Sequence, residues 1–238
     1  MDYIVCIIIY DFNWSYYGVC EMLISLLNQK GGVGKSSLGR ALAVEFARND
    51  WNVHVADLDR TQQTFFKWAG RREENNIMPL IEVALYSDAK AALKAEKNTD
   101  VLIVDGKAFA DAHALEVAQK SDLVIIPVGV SIDDLEPSLK LAVELVNKGI
   151  ERDSIIFVVC RVPTNGEKEA MNTRSSIQMW NFEVVQGWIP FKPAYSQAMD
   201  KGLSFTETPF KSLSDKADKI IEQLFSKAAE KVEVKEGV

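Results

Sequence analysis

Asn28-Gln-Lys-Gly-Gly-Val-Gly-Lys-Ser-Ser37 is the stretch of sequence that decides the fold. The apolar run 23–28, which we predict as a β-strand, leads into it, and the predicted helix 35–49 follows. Glycines between a strand and a helix let the backbone curl until its N–H groups point at an anion, and the helix N-terminus adds partial positive charge. The stretch therefore predicts a phosphate-binding loop rather than a chance glycine turn.

The side chains of this loop indicate a nucleotide and a metal ion. Lys35 is placed to neutralise the β- and γ-phosphates, and the hydroxyl of Ser36 can bind Mg²⁺. The backbone N–H groups of the residues around Lys35 and Ser36 are expected to contact the phosphates. The predicted nucleotide-binding residues of the loop are Gly31, Gly32, Val33, Gly34, Lys35, Ser36 and Ser37.

One position departs from the general phosphate-loop pattern, which requires glycine where this chain has Gln29. Lys30-Gly-Gly-Val-Gly-Lys-Ser36 resembles instead the deviant Walker A motif of the ParA/MinD ATPases. The resemblance implies that Lys30 is a second functional lysine, which reaches the phosphates bound by a partner subunit. It therefore implies ATP as the nucleotide and a homodimer that assembles when ATP is bound.

Two further segments supply carboxylates. Asp57 and Asp59 end the predicted strand 53–57 and leave the same face, because they alternate along the chain. In the ParA/MinD family this D-x-D stretch is the first switch, which implies Asp57 near the Mg²⁺ shell and Asp59 orienting or activating the attacking water. The alternative is a pair of solvated turn aspartates.

The third carboxylate belongs to Val101-Leu-Ile-Val-Asp105, which resembles the family's Walker B strand. The resemblance implies that Asp105 bonds the metal-bound water. The predicted metal site is therefore Ser36, Asp57 and Asp105. The predicted catalytic residues are Lys30, Lys35 and Asp59.

Three features near this site depart from the family or leave two interpretations open. Arg60-Thr-Gln-Gln63 replaces the usual Pro-Gln, so the switch geometry is expected to differ. Gly106-Lys107 replaces a common Thr-Pro pair, and Lys107 either contacts phosphate or is solvated. Arg161 follows the predicted strand 155–160 and is either an adenine-side contact of the nucleotide or a surface arginine.

Outside the loop, short apolar runs alternate with helical stretches. The predicted strands are 23–28, 53–57, 80–85, 101–105, 122–128 and 155–160, with one more at Ile189-Pro190. The predicted helices are 35–49, 88–97, 111–120 and 133–147, with a closing amphipathic helix within 209–225. This alternation predicts an α/β fold, the P-loop NTPase, with a largely parallel central sheet and helices on both faces.

We expect a single P-loop ATPase domain over 22–228 and a flexible tail over 229–238. Residues 1–21 form an atypical leader without Lys or Arg, whose apolar run 3–9 is too short to span a bilayer. No cleavage site of a secretory signal is evident. Either Met22 is the real start and the leader is not translated, or the leader is a short membrane-touching or partner-binding segment.

The composition narrows the classes of function. The chain has 238 residues and a formal net charge of -7, so any contact with DNA must use a local basic patch. Its three cysteines, Cys6, Cys20 and Cys160, form no C-x-x-C pair, which argues against a disulfide framework and against a zinc or iron–sulfur site. A reducing cytoplasm is the expected location.

The ParA/MinD resemblance implies the ATPase of a DNA partition system. In such a system the ATP-bound homodimer binds non-specific DNA of the nucleoid, and a centromere-binding partner protein stimulates hydrolysis and release. The candidate DNA contacts are the basic residues Arg71, Arg72, Lys192, Lys201, Lys211, Lys216 and Lys219.

Two other functions stay open. A MinD-like membrane-associated positioning ATPase would need an amphipathic C-terminal helix, although an apolar stripe of this kind is more often core. That stripe is Ile220, Ile221, Leu224, Phe225 and Ala228. An ATP-dependent synthetase would use the same loop to activate a carboxylate, but the sequence offers no recognisable substrate domain.

Overall fold

The computed structural model of the chain describes residues 22–94, 99–106 and 112–236. The predicted leader 1–21 and Lys107 lie outside the described residues. Within them the strands are β1 Met22–Leu26, β2 Val53–Asp57, β3 Glu82–Leu85, β4 Val101–Asp105, β5 Leu123–Val128, β6 Ile155–Val162, β7 Glu183–Val184 and β8 Ile189–Pro190. The helices are α1 Lys35–Arg48, α2 Thr64–Glu74, α3 Ala89–Lys94, α4 Ala112–Lys120, α5 Ile132–Asn147, α6 Glu167–Met179, α7 Pro193–Asp200 and α8 Lys211–Glu236.

The strands form one sheet in the order β3-β2-β4-β1-β5-β6-β7, and β8 also pairs with β6. All of these pairs are parallel, as predicted. The carboxyl ends of the strands therefore meet at one edge, where open α/β sheets bind ligands. The register places Asp105 between Asp57 and Leu26, so the two predicted metal carboxylates lie side by side and Asp105 lies next to the end of β1.

Helices cover both faces of the sheet because its central strands are apolar at successive positions. Every residue of β1 is buried. Met22, Ile24 and Leu26 pack with α1 and α8 on one face, and Leu23 packs with α3 and α4 on the other. Fully burying one such side chain contributes about 1.5–3 kcal/mol, so this strand is a strong stabilising element.

Helix α2 lies where the sequence predicts none. Its buried positions are Phe65, Trp68 and Arg72, which share one face of the helix at i, i+3 and i+7. An arginine at the third position interrupts the apolar pattern by which an amphipathic helix is recognised. The carboxylate that pairs with this arginine is Glu207, which is too distant in sequence to be read as its partner.

Helix α8 is longer than the predicted helix. It continues to Glu236, through most of the predicted tail, and Val232 still packs against the core. Its apolar stripe is part of the core, where Ile220, Ile221, Leu224 and Ala228 are buried and the ring of Phe225 lies 4.9 Å from that of Phe46. In the part of the chain that the structure describes, no helix is long and apolar enough to cross a membrane.

Candidate functional site

The loop between β1 and α1 curls because two of its glycines adopt left-handed backbone angles. Gly32 has φ 74° and Gly34, directly before α1, has φ 112°. Residues with a Cβ rarely adopt these angles. A Cβ on Gly34 would also lie 3.6 Å from the side chain of Cys160 in the neighbouring strand β6. The loop therefore needs glycine for its backbone angles, since the distance to Cys160 is an ordinary van der Waals contact.

Asn28, which sequence reasoning missed, fastens the start of the loop to the neighbouring β5 and α5. Its Nδ2 donates to the carbonyl of Pro127 at 2.7 Å and to Oγ of Ser138 at 2.9 Å. Its Oδ1 accepts from the backbone N–H of Lys30 at 2.8 Å. A buried amide with these partners fixes the loop in one orientation.

Lys35 points back into the curl of the loop. Its Nζ donates to the carbonyl of Lys30 at 3.0 Å and to that of Asn28 at 3.4 Å. Burial lowers the pKa of Lys35, while the charges of Asp105 and Asp59 counteract this effect. The ammonium is thus held by carbonyls of the loop, and a bound phosphate would compete with these carbonyls for it.

Asp105 is buried at the end of β4 and carries an unused acceptor. The nearby Ser36 hydroxyl helps to lower the pKa of this carboxyl, and its Oδ1 has no partner among the described residues. Burial raises the pKa of Asp105 to about 6. A hydroxyl beside a free carboxylate oxygen matches the hard oxygen ligands that Mg²⁺ prefers. Ser36 and Asp105 therefore fit a magnesium ion.

Asp57 and Asp59 have different surroundings. Asp57 is buried, and its carboxylate accepts the backbone N–H groups of Asp59, Phe65 and Phe66 at 2.9–3.2 Å. Asp57 thus fixes the start of α2, and a role in the Mg²⁺ shell stays a prediction. Asp59 accepts the N–H groups of Thr61 and Gln62 at 3.1 and 3.0 Å.

A cavity of about 430 Å³ opens at this edge of the sheet, within the size range of small-ligand pockets. The predicted site residues on its wall are Gly31, Gly32, Gly34, Lys35, Ser36, Ser37, Asp59, Asp105 and Arg161. Lys30, Val33 and Asp57 are not on the wall. Cavity-lining residues that sequence reasoning missed include Arg40, Cys160, Phe191 and Met199.

Arg161 lies above the phosphate loop. Its guanidinium donates to the carbonyl of Gly32 and lies 5.0 Å from the ring centroid of Phe191. Its backbone has φ 57°, where the pairing of β6 with β8 shifts register between Cys160 and Val162. Such an irregularity re-aims a side chain. Contact with adenine stays a prediction, since the hydrogen-bond partner of Arg161, Gly32, belongs to the phosphate loop.

Lys30 points away from the cavity of its own chain. Its Nζ lies 2.9 Å from Oδ1 of Asp134, in the first turn of α5, and its side chain is 39% exposed. The position suits a side chain that reaches a partner subunit, because an exposed ion pair contributes at most about 1 kcal/mol and is easily broken.

The predicted basic patch needs one correction. Arg72 is completely buried and pairs with Glu207, so it is not available to DNA. Arg71 is half-buried and donates to the carbonyl of Met199. Of the predicted lysines, Lys192 is partly buried, and those at positions 201, 211, 216 and 219 are exposed.

A comparison with known protein families gives a match over most of the chain. A family model described as the CobQ/CobB/MinD/ParA nucleotide binding domain matches residues 24–205. No curated protein matches the sequence.

Similar solved structures cover most of the chain. The MinC:MinD cell division protein complex of Aquifex aeolicus has 15% identity over 86% of this chain and 96% of that chain, with a TM-score of 0.68. The septum site-determining protein MinD of Pyrococcus horikoshii OT3, complexed with Mg-ADP, has 16% identity over 88% and 98%, with a TM-score of 0.68. A protein of Borrelia burgdorferi B31 assigned to plasmid partition, bound to AMPPNP, has 16% identity over 87% and 99%, with a TM-score of 0.63. These likenesses show a shared fold.

Proposed function

This chain belongs to the CobQ/CobB/MinD/ParA family of nucleotide-binding domains, and on that premise we propose that it is an Mg²⁺-dependent ATPase of a DNA partition system. The single observation that carries the ATPase part is the convergence of Lys35, Ser36 and Asp105 on one cavity wall. Burial shifts the pKa values of Lys35 and Asp105, and Oδ1 of Asp105 has no partner among the described residues. Perturbed groups that converge in a cavity are typical of functional sites.

The chain's own residues would divide the work of phosphoryl transfer. The backbone from Gly31 to Ser37 would bind the phosphates, and Lys35 would neutralise them. Ser36 and Asp105 would hold Mg²⁺, which supplies positive charge against the β- and γ-phosphates when bound. Catalysis of this kind depends on positioning and charge stabilisation rather than on a covalent intermediate.

Asp59 would orient the attacking water. It lines the cavity, and its N–H bonds to Asp57 while its carboxylate accepts N–H groups of the turn that follows. The carboxylate is therefore held by its own turn at the wall of the cavity. The usual Pro-Gln is missing here, but the turn is closed by these hydrogen bonds instead.

Lys30 supports an ATP-bound homodimer. In one chain it forms a partly exposed ion pair with Asp134 and does not line the cavity. In the proposed dimer it would leave Asp134 and reach the phosphates bound by the partner. ATP would then connect the two subunits, so that dimerisation follows the nucleotide state.

The partition role rests on family membership and on the exposed lysines. One protein of similar fold, that of Borrelia burgdorferi B31, is assigned to plasmid partition. The net charge of -7 requires that DNA be bound by a local patch, and Lys201, Lys211, Lys216 and Lys219 are exposed. The ATP-bound dimer would bind non-specific DNA through phosphate contacts, and a centromere-binding partner would trigger hydrolysis.

Binding to linear duplex DNA of arbitrary sequence tests this role. The full chain is measured with and without ATP at low and moderate salt, with Lys35→Ala as the control. We expect binding that requires ATP, weakens with salt and is lost in Lys35→Ala. ATP hydrolysis without DNA binding would contradict the partition role. A parallel measurement on anionic lipid vesicles would then test the MinD-like alternative, which the buried stripe of α8 disfavours.

A further inference from the structure

Arg40 is a buried cation that the phosphate-loop pattern does not require. It lies on α1 one helical turn after Ser36, so the two side chains share a face of the helix. Only 7% of Arg40 is exposed, yet it lines the same cavity as Ser36 and Asp105. A buried charge is unfavourable unless it is paired and fully hydrogen-bonded. A buried cation beside Asp105, the predicted metal carboxylate, therefore indicates a function in this site.

The contacts of Arg40 compensate its charge only in part. One terminal nitrogen donates to the carbonyl of Thr64, and the other lies 3.7 Å from Sδ of Met199, a weak acceptor. Its Nε has no partner in the described parts of the chain. The guanidinium also lies 5.7 and 5.6 Å from the ring centroids of Phe65 and Trp68. Burial lowers the pKa of Arg40 to about 10, so it is still a cation at neutral pH.

The hydrogen bond from Arg40 to Thr64 connects α1 to the start of α2. Thr64 is the first residue of α2 and directly follows the segment 58–63, which carries Asp59. Its hydroxyl donates to Oγ of Ser36 at 3.4 Å, and its carbonyl accepts from Arg40. Helix α1 therefore contacts the end of this segment at two points, one helical turn apart. Asp57 fixes the same region from the sheet, through the N–H groups at the start of α2.

We infer that Arg40 is a positioning residue, which fixes the segment 58–63 against the phosphate loop and so places Asp59 for the attack on the γ-phosphate. The inference rests on the proposed ATPase function. A displacement of about 1 Å at a catalytic group lowers the rate on the order of a hundredfold. Phosphate binding depends on Lys35 and the loop backbone, which Arg40 does not contact. Loss of Arg40 therefore lowers kcat and spares the affinity for ATP.

Arg40→Met tests this inference. Methionine keeps the unbranched stem but removes the charge and the hydrogen-bonding fork. Because Arg40 forms no ion pair within the described residues, its removal leaves no carboxylate without an ion-pair partner there, and the variant is expected to fold. Arg40→Lys keeps a charge without the planar fork and serves as a second variant if methionine prevents folding. Arg48→Met is the matched control, since Arg48 lies on the same helix, pairs with Glu207 and does not line the cavity.

The readouts separate positioning from a general structural effect. They are kcat, the Kd for ATP from calorimetry, and the rate of tryptic cleavage after Arg60, which is exposed within the segment 58–63. In Arg40→Met, kcat is expected to fall at least about tenfold while the Kd changes by less than about threefold. Cleavage after Arg60 is expected to accelerate. Arg48→Met is expected to leave all three values unchanged.

Two results would overturn the inference: an unchanged kcat in Arg40→Met, or a loss of ATP affinity as large as the loss of kcat. Failure of the proposed function is a separate result, because wild-type protein would then not hydrolyse ATP. In that case the rate of tryptic cleavage after Arg60 still tests the positioning role of Arg40. Acceleration in Arg40→Met alone supports the positioning role, and equal rates in all variants refute it.

Discussion

Two buried arginines lie close to the ring of Trp68 and differ in how their charge is satisfied. The guanidinium of Arg72 lies 5.5 Å from this ring centroid and that of Arg40 lies 5.6 Å from it. Arg72 forms a two-point ion pair with Glu207 at 2.7 and 2.8 Å, and donates to the carbonyls of Met78, Pro79 and Gly202. Arg40 has one strong acceptor and an Nε without a partner among the described residues.

The difference separates a structural site from a functional one. Every N–H donor of Arg72 has a partner, and its ion pair joins α2 to the short 3-10 helix Phe205–Glu207. At the cavity, Arg40 and Asp105 each keep an unsatisfied polar atom. Incomplete satisfaction of a buried group is unfavourable for stability. Because both atoms belong to residues that line the cavity, they indicate a site where a ligand or a moving segment supplies the missing contacts.

The largest expected effect on stability comes from breaking the ion pair between Arg72 and Glu207. Arg72→Met leaves the buried carboxylate of Glu207 without its main partner, so we expect the free energy of unfolding to fall by about 3–5 kcal/mol. Urea denaturation measures this change. In the control Arg48→Met, which removes a 41% exposed partner of the same carboxylate, the loss is expected to stay below about 1 kcal/mol. Equal losses in the two variants would contradict the structural role of Arg72.

The ion pair between Arg72 and Glu207 also predicts how the free energy of unfolding changes at acid pH. Burial alone would raise the pKa of Glu207, but its hydrogen bonds and ion pair with Arg72 hold the pKa below its ordinary value. Because the folded pKa is depressed, this stabilisation is complete above the unfolded pKa and is lost as the pH falls through the folded one. Arg72→Met should abolish that part of the acid dependence. Denaturation at a series of pH values tests it.

Asp105 predicts a pH dependence of stability that is opposite in sign to that of Glu207. Burial raises the pKa of Asp105 to about 6, so the wild-type protein without ligands loses stability as the pH rises from the unfolded pKa to that value. Asp105→Asn removes the buried charge. We expect it to stabilise the nucleotide-free protein by up to about 3 kcal/mol at pH 7, with no gain near pH 4. Its ATP turnover should nevertheless be lost.

Thermal unfolding at several pH values and steady-state ATP hydrolysis measure these two effects of Asp105→Asn. A variant that is less stable than wild type at every pH would show that Asp105 is a structural group. A variant that keeps full turnover would exclude it from the metal site.

The smallest effect on stability is expected at Lys30. Because its ion pair with Asp134 is partly exposed, Lys30→Ala should change the free energy of unfolding by less than about 1 kcal/mol. It should nevertheless abolish the ATP-dependent dimer, which light scattering detects. Asp134→Asn removes the same ion pair and keeps the lysine, so its dimer should persist. A dimer that forms equally in Lys30→Ala would refute the role of this lysine in the partner's site.

The contrast between local and distant signals explains what could be predicted. The parallel sheet and the phosphate loop follow from short local patterns, namely apolar runs and closely spaced glycines. Asn28 was not recognised, because its partner Ser138 is 110 residues away in sequence. Arg72 was expected at the surface, because its partner Glu207 is 135 residues away. A sequence shows which residues are charged but not which distant groups pair with them.

Arg40 could have been found by a helical argument. It follows Ser36 by four residues, so the predicted helix 35–49 places both on one face. That placement would have indicated a cation beside the magnesium site. The direction of Lys30 towards Asp134, and that of Arg161 towards Gly32, depend instead on tertiary contacts with α5 and β6.

Calorimetric titration of the full chain with Mg-ATP tests the central claim, that the loop 28–37 is a nucleotide site, most directly. Lys35→Ala is measured beside wild type, and its thermal unfolding shows whether it is folded. Saturable binding by wild type and binding at least about a hundredfold weaker in Lys35→Ala are expected, because several charge-assisted hydrogen bonds to phosphate are lost. Equal affinity in the folded variant, or no binding by wild type, would contradict the account.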